Sequence, residues 1–280
     1  MRRFLARLAV AAILASPAPL AAQSEPATQS APAPVEVPPG DQFLYGSGEA
    51  AAMSRQIYRA LEAHALGQAA GRPASSVILT ADATLAAPRF EACGDKPLAA
   101  VFDVDETVAL NSGLMRSRLT RQRPAPGTPL AVRPVPGAVE AIRALRAAGI
   151  TPVYNTNRTL DMTDLVAGTI ESFGLERPVA GETLFLNGMD ALGGNKDGRR
   201  TAIAARWCVI AMAGDQLGDF SELLKAIPLV PARRAASLAA PIEALWGNGW
   251  FLLPNTSYGT ALEGTLEEVF DEPAAAANDN

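Results

Sequence analysis

Histidine is almost missing from this chain of 280 residues, and the absence is informative. A single imidazole, His64, cannot build a multi-histidine metal centre. It lies in "YRALEAHALGQ", where a helix-surface or packed ring is expected, and no Gly-x-Ser-x-Gly elbow precedes it to start a serine triad. Cysteine is scarce too. Neither Cys93 nor Cys208 is followed by an Arg-terminated loop, which removes a thiolate nucleophile with a phosphate loop. Only three lysines occur in a chain of net charge −5 and pI near 5.1, so clustered cations that would follow a nucleic-acid backbone are lacking. Small anionic ligands remain open if one pocket is locally positive.

Long apolar runs are lacking as well. The opening "MRRFLARLAVAAILASPAPLAAQ" passes from a basic start through a short apolar stretch to small residues and Pro, the layout of a secretory signal over residues 1–22 with cleavage after Ala22. Its apolar part is interrupted by Arg7 and falls short of the roughly 18 residues a membrane span needs. A retained anchor is the alternative. No cysteine lies near the cut to take a lipid, so the expectation is a periplasmic or secreted protein without a stable membrane anchor after cleavage. Residues 23–40, rich in Pro and Ala, read as a linker, and 272–280 as a loose tail. Residues 41–271 then form one domain, ample for a core of ordinary density.

Within that domain apolar strand candidates at 98–103, 150–155, 207–213 and 250–253 alternate with helical patterns near 48–69, 137–148, 160–173, 196–206, 219–226 and 260–270. Asp219 is placed to cap the fifth of these helices. Continuously apolar strands alternating with helices imply a parallel sheet covered on both faces, an α/β Rossmann-like arrangement that binds ligands beyond the carboxyl ends of its strands. Cys93 precedes the first strand candidate, and Cys208 stands at the start of the third. Cys93 stands ten positions before Asp103 and Cys208 seven before Asp215. On parallel neighbours ending level, that offset separates them by roughly 10 Å at about 3.3 Å per residue. A bridge is then out of reach unless the segment at Cys93 folds back; otherwise Cys208 is a buried thiol.

Polar groups gather where the strands run out. "FDVDET" puts Asp103 and Asp105 after the first strand, "YNTNR" puts Thr156, Asn157 and Arg158 after the second, and "AMAGDQLGDF" puts Asp215 and Asp219 after the third. With histidine, cysteine and serine routes excluded, carboxylate chemistry remains. A carboxylate and a phosphate ester repel each other; Mg²⁺, which prefers hard oxygen ligands, removes the obstacle. Aspartates at i and i+2 of an extended chain project to the same side, which supplies a nucleophile and a proton carrier together. Lys196, in "GGNKDGRRTAI", is available as a fixed cation.

The ordered set "DVDET", "NTNR", "NKDGRR" and "GDQLGDF" resembles the motifs of the haloacid dehalogenase superfamily of phosphohydrolases. "FDVDETVALNS", "GDQLGDF" and "WFLLPNTSYG" are similar to segments of its class C non-specific acid phosphatases, which include bacterial surface nucleotidases; the likeness covers most of residues 43–265. The resemblance implies a haloacid dehalogenase-like sheet with a small cap formed by the N-terminal helix and inserted loops. It implies Asp103 as nucleophile, Asp105 as general acid/base, and Mg²⁺ held by Asp103, the Asp105 carbonyl and Asp215, with Asp219 orienting a metal-bound water. It further implies that Thr156 and Asn157 hold phosphoryl oxygens and that Lys196 neutralises them. Arg158 either joins them or braces the loop against an acidic neighbour.

Departures from the family bear on the substrate. Relatives carry an aromatic residue shortly after "NS", whereas "NSGLMRSRL" offers Leu114 and Met115. Tyr258, Trp246 and Trp250 are left either as a stacking platform or as core. The cluster Arg116, Arg118, Arg121 and Arg123 either attracts anions or is a solvated loop. The expectation is an exported Mg²⁺-dependent acid phosphatase acting on small phosphate monoesters, with nucleoside monophosphates among the candidates. A phosphotransferase and a non-catalytic nucleotide or haem binder on the same scaffold are the alternatives.

Overall fold

The computed structural model describes residues 34–122, 125 and 130–270; the signal-like segment, the linker up to residue 33, Arg123 and the tail lie outside them. In chain order the elements are α1 (Pro39–Gly46), α2 (Gly48–Gly71), the antiparallel pair β1 (Ser75–Leu79) and β2 (Phe90–Ala92), β3 (Leu98–Phe102), β4 (Ala109–Leu110), α3 (Ser112–Thr120), β5 (Arg133–Pro134), α4 (Ala138–Ala147), β6 (Thr151–Thr159), α5 (Thr163–Ser172), β7 (Leu184–Asn187), α6 (Asp197–Arg206), β8 (Cys208–Gly214), α7 (Glu222–Lys225), α8 (Val230–Ser237), α9 (Ala240–Glu243), β9 (Trp250–Leu252) and α10 (Leu266–Val269). No helix among the described residues is long and apolar enough to cross a membrane.

Five strands form one parallel sheet in the order β7-β6-β3-β8-β9. Alternation along β3 divides the core. Ala100 and Phe102 join Tyr58 and Leu61 of α2, Ile142 of α4 and Ile170 of α5 on one face, while Ala99 and Val101 join Ile203 of α6 and Trp250 on the other. The chain moves outward from β3 to β6 and β7, then crosses back to β8 and β9. The order reverses beside β3, where open sheets bind ligands and where Asp103 emerges. Of the expected cap, α3 with β4 and β5 is the inserted part. The N-terminal contribution near the site is the short α1, because α2 buries Tyr58, Leu61 and Ala65 in the core.

One strand of the five-stranded sheet escaped the sequence reading, as did the two short antiparallel pairs β1–β2 and β4–β5. Leu184–Asn187 is too short and too close to a glycine to stand out, yet it pairs with β6 at the sheet edge. The helix expected over 219–226 opens only at Glu222. Its cap is Ser221, whose Oγ accepts from Leu223 N at 3.2 Å, and Asp219 sits in the preceding 3₁₀ turn instead. The pattern over 260–270 splits into a 3₁₀ turn and the short α10 around Gly264, which adopts φ +122°. Trp246 and Trp250 are core: both pack on Phe220, and Trp250 Nε1 donates to Val77 O at 2.9 Å.

Cys93 and Cys208 form a disulfide with Cα atoms 4.6 Å apart. The extrapolated separation fails because β3 does not extend back to Cys93. It starts at Leu98, directly opposite Cys208, and a turn through Gly94 (φ +53°), closed by Lys96 N donating to Cys93 O at 3.2 Å, folds the chain back. One residue further along, β8 carries an extra residue: Ala99 pairs with Val209 but Ala100 with Ala211. The carbonyl of the intervening Ile210 lies 3.1 Å from His64 Nε2, so the lone histidine serves packing and not chemistry. Breaking the disulfide, by Cys93→Ala with Cys208→Ala, is expected to cost about 3–5 kcal/mol given the long loop it closes. Urea midpoints of the oxidised protein and the double variant measure this; equal midpoints contradict it.

Candidate active site

Asp103 leaves β3 buried, its N–H donating to Ala213 O of β8 at 2.9 Å, so sheet pairing fixes the point from which its side chain projects. Lys196 meets it from the turn before α6. Its ammonium donates to Asp103 Oδ1 at 2.5 Å and to Asp219 Oδ1 at 2.7 Å, and it is almost wholly buried. Asp215 follows β8; its Oδ2 accepts from Asn255 Nδ2 at 2.6 Å and Gln216 Nε2 at 3.0 Å. Asp219 closes the loop by accepting at Oδ2 from Asp215 N at 3.1 Å and Gln216 N at 2.9 Å. Oxygens of Asp103, Asp215 and Asp219 all lie within 4.8 Å of one another.

That crowding shows in the ionisation. Burial, opposed by Lys196 but reinforced by the neighbouring aspartates, holds the Asp103 carboxyl well above its usual range. Burial, then Asp219, pushes Asp215 up to about 7, against the hydrogen bonds from Asn255 and Gln216. Burial alone would lower the Lys196 ammonium; Asp103 and Asp219 outweigh it and raise it. Three carboxyl groups against one ammonium leave a negative excess made of hard oxygen donors. This set fits a small divalent cation.

Asp105 stands outside this group of three but lines the same cleft. Arg158 grips it through Nε at 3.1 Å to both oxygens and through Nη2 at 2.5 Å to Oδ1, while Asn111 Nδ2 donates to Oδ1 at 2.7 Å. Of the two readings of Arg158, bracing an acidic neighbour is the contact present. Asn157 Oδ1 accepts from Arg199 Nη2 at 2.6 Å, and Thr156 lies buried, its Oγ1 accepting from Arg158 N at 3.2 Å. Asp103, Asp105, Asn157, Arg158, Lys196, Asp215 and Asp219 line one cleft of about 1140 Å³; Thr156 is not on its wall.

Several supporting residues were not assigned from sequence. Both arginines of "NKDGRR" are buried braces. Arg199 donates to Asn155 Oδ1 at 2.9 Å as well as to Asn157, and Arg200 Nη1 donates to the carbonyls of Gly218 and Asp219 at 2.8 and 2.9 Å. One helix turn thereby fixes the second half of β6 and the loop after β8. Glu106 is buried at φ +54° and accepts from Tyr45 OH at 3.0 Å, Asn111 N at 3.0 Å and the Tyr258 hydroxyl. These bonds offset the cost of a left-handed glutamate. Only the adjacency "RR" and the acid in "DET" signalled them.

Residues 68–261 match the family described as HAD superfamily, subfamily IIIB (Acid phosphatase). The chain belongs to this family. It is therefore an acid-phosphatase-type phosphomonoesterase, as the motif resemblance implied. The class C acid phosphatase from Bacillus anthracis with tungstate bound shares the fold at TM-score 0.61 and 20% identity, over 79% of this chain and 84% of that one. A second structure of the class C acid phosphatase from Bacillus anthracis gives 0.59 and 21% over the same shares. Curated protein sequences yield no match.

Two outcomes follow. A Cβ on Gly214 would overlap the side chain of Asp219, so Gly214→Ala displaces that carboxylate and is expected to weaken divalent-cation binding about 10–100-fold; calorimetric titration measures it, and unchanged affinity refutes it. The raised Asp215 means that the metal-free fold holds a proton which the unfolded chain, at the ordinary value of 3.8, releases. Its stabilising contribution is complete below about pH 4 and is lost as pH rises through about 7. Melts in EDTA should show this decline flattened in Asp215→Asn; an equally steep decline in the variant contradicts the assignment.

Proposed function

We propose that this protein is an exported, Mg²⁺-dependent acid phosphatase that hydrolyses small phosphate monoesters through an aspartyl-phosphate at Asp103. The observation that carries the reading is the buried contact of Lys196 with Asp103 and Asp219 at 2.5 and 2.7 Å, in a cleft where three carboxylates converge. Asp103, Asp215 and Asp219 would hold Mg²⁺, whose bound charge lowers the repulsion between carboxylate and phosphate.

The chain's own groups divide the work. An Asp103 carboxylate oxygen attacks phosphorus as the ester P–O bond breaks, and the departing oxygen takes a proton from Asp105. Asp105 then removes a proton from the water that attacks the aspartyl-phosphate, releasing inorganic phosphate and restoring both carboxyl groups. Arg158 and Asn111 fix the direction of the Asp105 carboxyl, and Lys196 bears on the phosphoryl charge. The tungstate in the Bacillus anthracis neighbour, a tetrahedral oxyanion, agrees with a phosphoryl position in this fold. Export is supported by the basic-apolar-small layout of residues 1–22 and by the disulfide, which persists in oxidising compartments.

Hydrolysis of p-nitrophenyl phosphate at mildly acidic pH tests the reading. EDTA should abolish turnover and Mg²⁺ restore it; Asp103→Asn should fall to background and Asp105→Asn lose about 10²–10⁴-fold in kcat. Turnover that persists in EDTA, or full activity in Asp103→Asn, overturns it.

A further inference from the structure

We infer that the leaving group favoured by this enzyme is an aliphatic chain, and that Leu114, Met115 and Leu165 form the subsite that selects it over a nucleoside. The inference rests on the phosphatase reading and concerns the part of the same cleft that lies beyond Asp103 and Lys196. A cleft of about 1140 Å³ is roomy enough to receive the leaving group beside the phosphate, along a wall that is open to solvent. One wall comes from α3 and the segment after it, with Leu114, Met115, Leu130 and Val132; the other comes from the 3₁₀ turn and α5, with Met162 and Leu165.

The packing that builds the first wall is specific. Gly113 N donates to Ala131 O at 2.7 Å, and a Cβ at Gly113 would strike the backbone of Ala131. This close approach sets Leu114 and Met115 beside Leu130 and Val132.

The sequence offers neither wall an aromatic ring: residues 112–133 and 157–172 contain no Phe, Tyr or Trp. Tyr258 is the one ring among the cleft residues, and its hydroxyl is engaged by Glu106. Trp246 and Trp250 are committed to the core against Phe220. Base stacking, which makes nucleotide binding favourable, therefore lacks the paired faces it needs. The second wall's hydroxyls have already donated their protons locally. Thr159 donates to Asp161 at 2.5 Å, Thr169 to Leu165 O at 2.8 Å and Ser172 to Thr169 O at 2.6 Å. Of the charged groups on these walls, Arg118 lies against Met115 Sδ at 3.7 Å and Asp164 is paired with Arg177 at 2.8 Å, so the side-chain surface left for the leaving group is mainly methyl and thioether, which rewards CH₂ groups.

The purified Mg²⁺-loaded protein, assayed with ethyl, butyl and hexyl phosphate, adenosine 5′-monophosphate and p-nitrophenyl phosphate, tests this. The expected result is kcat/KM rising up to about fourfold per added methylene, with hexyl phosphate above the nucleotide. Leu114→Asn, at a half-buried position, and Leu165→Asn, at an exposed one, should each narrow the hexyl-to-ethyl ratio. A series flat in chain length, a nucleotide turned over as well as or better than hexyl phosphate, or ratios unchanged in both variants overturns the inference. Failure to hydrolyse any ester, p-nitrophenyl phosphate included, overturns the phosphatase reading beneath it.

Discussion

Like charges held together out of water are the constraint around which this protein is built. Asp103, Asp215 and Asp219 bring oxygens within 4.8 Å of one another at the carboxyl edge of the sheet, and the one ammonium among them, on Lys196, is itself buried. Such a cluster persists only if every surrounding dipole is arranged to hold it. The side-chain amides of Gln216 and Asn255 and the N–H groups of Asp215 and Gln216 are so arranged. Left alone, the cluster would protonate or spread. The rest of the fold prevents the spreading.

That prevention comes from a second ring of groups. Arg199 and Arg200, consecutive on α6, reach opposite ways: one to the side-chain amides of Asn155 and Asn157 in β6, the other to the carbonyls of Gly218 and Asp219. Lys196, from the same stretch, is thus positioned against the end of β6 and the loop after β8 by a single helix start. Glu106 does the corresponding job for the first loop, tying α1 through Tyr45 and the C-terminal loop through Tyr258 to the turn that carries Asp105. Residues far apart in sequence converge because a few buried polar side chains fasten loops that the sheet alone leaves open.

The strand ends were legible in the amino-acid order because apolar runs followed at once by aspartates have few structural explanations. The pairs Asp103/Asp105 and Asp215/Asp219 align on a parallel sheet by their position behind apolar runs alone. Less legible was whatever depended on chain reversal or tertiary partners. β7 has only four residues, and the disulfide depends on a turn at Gly94 that strand counting does not anticipate. Asp219 resembled a helix cap by its position before "FSELL", but the N–H groups of Asp215 and Gln216 claim its carboxylate. Arg199 and Arg200 carried no signal beyond being two arginines side by side, since their partners lie on other loops.

The extra residue in β8 has a geometric reach beyond its own neighbourhood. Opposite faces of a strand alternate residue by residue, so inserting one position between Val209 and Ala211 inverts the parity of everything downstream. Ala213, not Met212, then stands level with Phe102, and the parity of Asp215 is counted from there. The disulfide fastens the near end of the same two strands, at Cys208. Together, a clasp and a half-step just beyond it, both at the near end of the strands, determine which way an acid at the far edge points.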